Sequence, residues 1–146
     1  MPTNSLHQAK TRSVSIAASP QAVFDLVTDP AALPRWAPGV ARSVRVDGDD
    51  WILENAQGET RVTLRTSPDH GTVDLLIAEN QGVFTRVLPN GEGSEYQFTM
   101  LLPADLPDEA VAEQMTIVEA ELEAVRTLCE AVREPAPEQS RGDQRQ

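Results

Sequence analysis

The stretch SPQAVFDLVTDPAALPRWAPG, residues 19–39, decides how this chain folds. Ser19 is a helix-capping residue followed by Pro20, which is favoured at the first helical position. Val23, Phe24 and Val27 then recur on one helical face. Asp29-Pro30 stops that helix, because the residue before a proline is pushed out of the right-handed helical region. Asp29 can cap a second short helix starting at Pro30, and Pro34 and Pro38 bracket Trp36. Two short helices therefore interrupt the chain directly after its first strand, RSVSIAAS (residues 12–19), in which Val14 and Ile16 alternate with Ser13 and Ser15.

Beyond Gly39 the pattern changes to strands and turns. VARSVRV, WILENA, ETRVTLRT, TVDLLIA, VFTRVLP and SEYQFTMLL are separated by DGDD, Gln57-Gly58, SPDHG, ENQG and NGEG. Short strands divided by Gly, Asn, Asp and Pro turns predict an antiparallel meander. Together with the first strand this makes a seven-stranded sheet. The last segment predicts a helix from about Pro107 to Arg133. Val111, Met115, Val118, Leu122, Val125, Cys129 and Val132 follow one another at spacings of four and three, which forms a single apolar stripe. Acids crowd the start of this helix, Glu121 among them, and Arg126 and Arg133 stand near its end, which complements the helix dipole.

A sheet with one apolar face must bury it, and the long helix is the only large element available to do so. The sequence thus predicts an α+β fold, with the seven-stranded antiparallel sheet curled around the long C-terminal helix and the two short helices plugging the gap. The order β, α, α, six β, long α resembles the START-related, pollen-allergen-like helix-grip superfamily (SRPBCC), and within it the polyketide cyclase/dehydrase-like branch. The segment SIAASPQAVFDLVTDPAALPRWAPGV, the strand GTVDLLI and the terminal helix carry the resemblance, which spans Arg12 to Val132. It implies a cavity for a lipid- or polyketide-like ligand, and in some members an aldol cyclisation or dehydration.

Composition limits the alternatives. The 146 residues carry 23 acids against 12 bases, a net charge of −11, and Lys10 is the only lysine. Such a surface repels phosphate backbones, so no nucleic-acid partner is expected. No apolar run is long enough to span a bilayer, the start lacks the apolar region of a signal peptide, and a cytoplasmic location is expected. Cys129 is the only cysteine, so an intrachain disulfide is excluded and the residue reads as a buried small hydrophobe. His7 and His70 have no partners at ligand spacing, and no metal or cofactor is expected. His70 sits at a hairpin tip, in solvent. Residues 1–11 and 134–146 are polar or proline-rich and are expected to be disordered, leaving residues 12–133 as the folded domain.

The ligand-binding wall expected from composition comprises Phe24, Trp36, Leu75, Phe98, Met115 and Leu122. Arg61 and Arg65 alternate with Val62 and Leu64, which puts these charges on the solvated convex face, with Arg65 or Arg86 turned inward as the other option. No acid–base pair is evident, so the residues leave open whether the chain is an enzyme. If it is one, it would be a cofactor-free cyclase or dehydratase. The alternative is an interaction or regulatory module that docks a protein partner through its acidic surface, and a homodimer is a further option.

Overall fold

The computed structural model describes residues 6–78 and 81–133. Ser19 caps helix α1 (Pro20–Val27), its hydroxyl accepting from the Ala22 N–H at 3.1 Å. Asp29 accepts from the Ala31 N–H at 3.1 Å and starts a single 3-10 turn over Pro30–Ala32, which runs into the short helix α2 (Leu33–Trp36). Local capping chemistry alone thus fixes the two-helix plug at the predicted place.

The strands are β1 (Gln8–Ile16), β2 (Ser43–Asp47), β3 (Asp50–Asn55), β4 (Gly58–Ser67), β5 (Thr72–Ala78), β6 (Gln81–Asn90) and β7 (Gly93–Leu102). They form one antiparallel seven-stranded sheet in the order β1-β7-β6-β5-β4-β3-β2. The meander is consecutive from β2 to β7, and β1 closes the far side by pairing with β7 from Gln8↔Leu102 to Ile16↔Ser94. This corrects the expected start of the folded region at Arg12. Gln8 to Thr11 are ordered in the sheet because Thr99 to Leu102 supply their ladder, a long-range cause that an unpatterned local sequence does not reveal. The expected disordered segment from Glu134 onward, and residues 1–5, lie outside the described residues.

Helix α3 (Asp108–Arg133) crosses the concave face. Val118 and Val125 are fully buried, and Met115, Leu122 and Cys129 nearly so, against Val23 of α1 and Tyr96 of β7. Two polar ties fasten the segment leading into the plug, one to strand β7 and one to helix α3. Ser94 donates its hydroxyl proton to the Ala18 carbonyl at 2.7 Å, in the interior, and the Ala17 N–H donates to Glu130 Oε2 at 2.9 Å. Asn55 of β3 donates to the Val40 carbonyl at 3.0 Å and anchors the segment that follows α2. Among the described residues no helix is long and apolar enough to cross a membrane.

Gly71 illustrates a turn that the backbone demands. Its φ is +73°, and a Cβ there would meet the Val87 carbonyl oxygen at 2.3 Å, while that same strand donates the Val87 N–H to the Gly71 carbonyl at 2.8 Å. Only glycine admits both the left-handed conformation and the approach.

Cys129 is buried, and burial pushes its thiol up to about 11, so little thiolate forms near neutral pH. Native protein treated with a thiol reagent at mildly alkaline pH should remain unlabelled and react at once after denaturation. Rapid labelling of the folded protein would mean that α3 opens locally.

Candidate functional site

Sheet alternation decides which side chains face the helix. Val73 and Leu75 of β5, Val83 and Thr85 of β6, and Tyr96 and Phe98 of β7 all point to the concave side, across the ladders Leu75↔Val83, Val73↔Thr85 and Thr85↔Phe98. The plug covers them with Leu33, Trp36 and Ala37. The chamber between these layers has a volume of about 60 Å³. Its lining is apolar apart from Thr85, Tyr96 and Glu121, the last contributed by α3.

Glu121 is the finding that the sequence reading did not single out. The residue is only 8% exposed, and burial pushes its carboxyl up to about 7. A charged carboxylate in such surroundings forgoes hydration without a compensating partner, so the neutral form gains. Tyr96 is fully enclosed, and burial, countered in part by Thr85 and reinforced by Glu121, holds its phenol above the ordinary value, so it stays neutral. The Thr85 hydroxyl donates to the Val73 carbonyl at 2.8 Å. Trp36 is 7% exposed, and its indole N–H is buried without an acceptor among the described residues. Such an orphan donor costs about 1–3 kcal/mol, a cost that a bound acceptor would remove.

Outside this chamber lies a wider vestibule of about 610 Å³. Val40, Leu75 and Val83 belong to both walls, so the two spaces meet at these side chains. The vestibule continues over Leu53, Val62 and Met100 to a rim that includes His7, Thr60 and Gln81. The chamber alone holds a few water molecules, whereas the vestibule falls in the range of small-molecule sites, about 300–1,000 Å³.

The expected wall residues separate into two groups. Trp36, Leu75 and Phe98 line the chamber together. Phe24 is half-buried and borders a shallow groove with Pro68, His70 and Arg86. Leu122 is buried in the core, and Met115, also buried, borders a groove beside β1 with Lys10 and Arg12. The strand charges lie on the outer face. Arg65 pairs with Asp74 at 2.7 Å, Arg61 pairs with Asp47, and Arg86 donates to the His70 carbonyl at 3.1 Å. None of these arginines lines the chamber. At the hairpin tip His70 Nδ1 and the Ser67 hydroxyl lie 2.9 Å apart in an exposed contact.

Glu121 could have been found from helical spacing. It stands three residues after Val118 and four before Val125, both fully buried, so it shares their face. Its acidic type conceals that position in a helix rich in exposed glutamates.

Comparison with known proteins agrees with this architecture. Residues 7–130 match the model of a family described as polyketide cyclase/dehydrase and lipid transport. Among solved structures, the protein XoxI from Bacillus cereus superposes with a TM-score of 0.69 at 20% identity, covering 86% of this chain and 97% of that one. A START superfamily protein from Mycobacterium smegmatis gives 0.64 at 17% identity, covering 85% and 98%. The Aha1 dimer from Colwellia psychrerythraea gives 0.67 at 16% identity, covering 84% and 96%. At these identities the likeness establishes the fold alone. No curated protein sequence matches this chain.

Proposed function

The chain belongs to the polyketide cyclase/dehydrase and lipid transport family, with a START-like helix-grip fold, and from that premise we propose that it binds a small hydrophobic ligand between the sheet and α3. The observation that carries this reading is a buried carboxyl, Glu121, in the wall of a mostly apolar chamber that meets a wider apolar vestibule. An apolar recess with a few convergent polar groups and one strongly shifted titrating group is the arrangement expected of a binding site. The small inner volume implies that the plug yields when a guest enters, with Leu33, Trp36 and Val40 moving away from Leu75 and Val83.

Cyclisation or dehydration in this chamber would draw on the same carboxyl. A group titrating near pH 7 both accepts and returns a proton under working conditions. Binding is the function proposed, and proton transfer by Glu121 is the chemistry that it would make available, with no cofactor.

Diphenylhexatriene, an apolar fluorescent probe without hydrogen-bonding groups, should bind with a Kd of about 1 μM. Leu75→Trp, which fills the wall shared by chamber and vestibule, should abolish that binding while the melting transition stays cooperative. Native mass spectrometry of gently purified protein should reveal retained ligand as added mass that is lost on denaturation. Undiminished probe binding by Leu75→Trp would move the site elsewhere. Absence of probe binding, with a protein partner co-purifying, would favour the acidic interaction module instead.

A further inference from the structure

We propose that the guest enters polar end first and that this end is a neutral hydrogen-bond acceptor, the carbonyl of a ketone, ester or amide, received by the Glu121 carboxyl and the Trp36 indole N–H. The inference rests on the ligand-binding reading above and adds the ligand's chemistry and orientation.

The polar inventory of the chamber decides the sign. Trp36, whose ring lines the chamber, carries a covered N–H that has no acceptor among the described residues and that a guest reaches as the plug moves aside. Glu121 in its neutral form contributes an O–H donor. The Thr85 hydroxyl proton is already committed to the Val73 carbonyl, and the neutral Tyr96 hydroxyl, beside Thr85, can donate as well as accept. The chamber therefore has donors to spare, and a carbonyl oxygen with two lone pairs can accept from both. An anionic head group finds no compensating charge, because no lysine, arginine or histidine lines the chamber. An ammonium head would need Glu121 ionised and would leave the Trp36 donor unpaired. The remainder of the ligand then lies over Val40, Leu75 and Val83, the shared wall, toward Val62 and Met100 in the vestibule.

Ionisation of Glu121 removes one of the two donors and adds a negative charge facing the carbonyl oxygen. Affinity for a ketone should therefore fall as pH rises through about 7. Tyr96 of β7 is the only other titratable side chain lining the chamber, and burial keeps its phenol neutral throughout. The plug contributes no charged group to the chamber.

The test compares prodan, a naphthyl ketone, with diphenylhexatriene, which lacks any acceptor, by fluorescence titration at about pH 5.5 and about pH 8.5. Wild type should bind prodan about tenfold more tightly at the lower pH, the factor expected for one buried hydrogen bond. Glu121→Gln, which retains an N–H donor, should bind prodan without pH dependence. Glu121→Leu should bind it about tenfold more weakly than wild type at the lower pH. Diphenylhexatriene should bind wild type and both variants alike at both pH values. If prodan affinity is flat with pH in wild type, or unchanged in Glu121→Leu, while diphenylhexatriene binds, the polar-end-first orientation is overturned and the pocket stands. If neither probe binds wild type, the pocket reading falls, and the orientation with it.

Discussion

Replacing Glu121 with Gln should stabilise the protein at pH 8 by about 2–3 kcal/mol and remove most of the pH dependence of its stability between about pH 4.5 and 7. The carboxyl titrates at about 7 in the folded chain, against an ordinary value of 4.5, because burial disfavours its charged form. Between those two values the folded state holds a proton that the unfolded state has lost. Stability is therefore highest with respect to this group below about 4.5, declines as pH rises, and levels off above about 7. Gln is nearly isosteric and never ionises, so it escapes the decline. For a domain of this size the melting temperature at pH 8 should rise by roughly 5–10 °C, with little change at pH 4.5. Glu95 acts in a separate window with the opposite sign. Hydrogen bonds from Ser15, Ser13 and Asn90 hold its carboxyl below the ordinary range, so its contribution is lost only as pH falls below about 4.5. The wild-type profile should accordingly peak in mildly acidic solution. Equal melting temperatures of wild type and Glu121→Gln at pH 8 would show that the carboxyl reaches water freely.

The second large effect belongs to the grip itself. Leu122→Ala removes a side chain that is 3% exposed, in the stripe that joins α3 to the sheet and plug. The expected cost is about 2–5 kcal/mol, since close-packed neighbours collapse only partly into the space left behind. That is a large share of the stability of a typical domain, so urea unfolding should shift to a visibly lower midpoint with an unchanged slope. A cost below about half a kcal/mol would mean that α3 lies loosely on the sheet.

What could be read in the sequence follows from how local each cause is. The caps at Ser19 and Asp29, the prolines at 20, 30 and 34, and the apolar stripe of α3 act within a few residues, and each produced its element where expected. The start of β1 escaped because Gln8 to Thr11 take their places only through pairing with β7. Glu121 escaped for a related reason. An acid within a run of acids reads as a solvated face, and only the sheet and plug closing over that turn of α3 convert it into a buried group. Trp36 was legible as a large ring in the plug. The missing acceptor for its N–H was not, because a hydrogen bond that fails to form leaves no trace in sequence.

The account turns on a guest lying against Trp36 and Glu121, and the indole N–H signals report this directly. The chain has two tryptophans, Trp36 in the chamber and Trp51 on β3 away from it, so a ¹H–¹⁵N correlation spectrum shows two indole peaks, which Trp36→Phe assigns. Titration with prodan at mildly acidic pH should shift the Trp36 peak downfield, saturably, as its proton gains an acceptor, and leave the Trp51 peak in place. Saturable prodan fluorescence with an unmoved Trp36 peak would contradict the account.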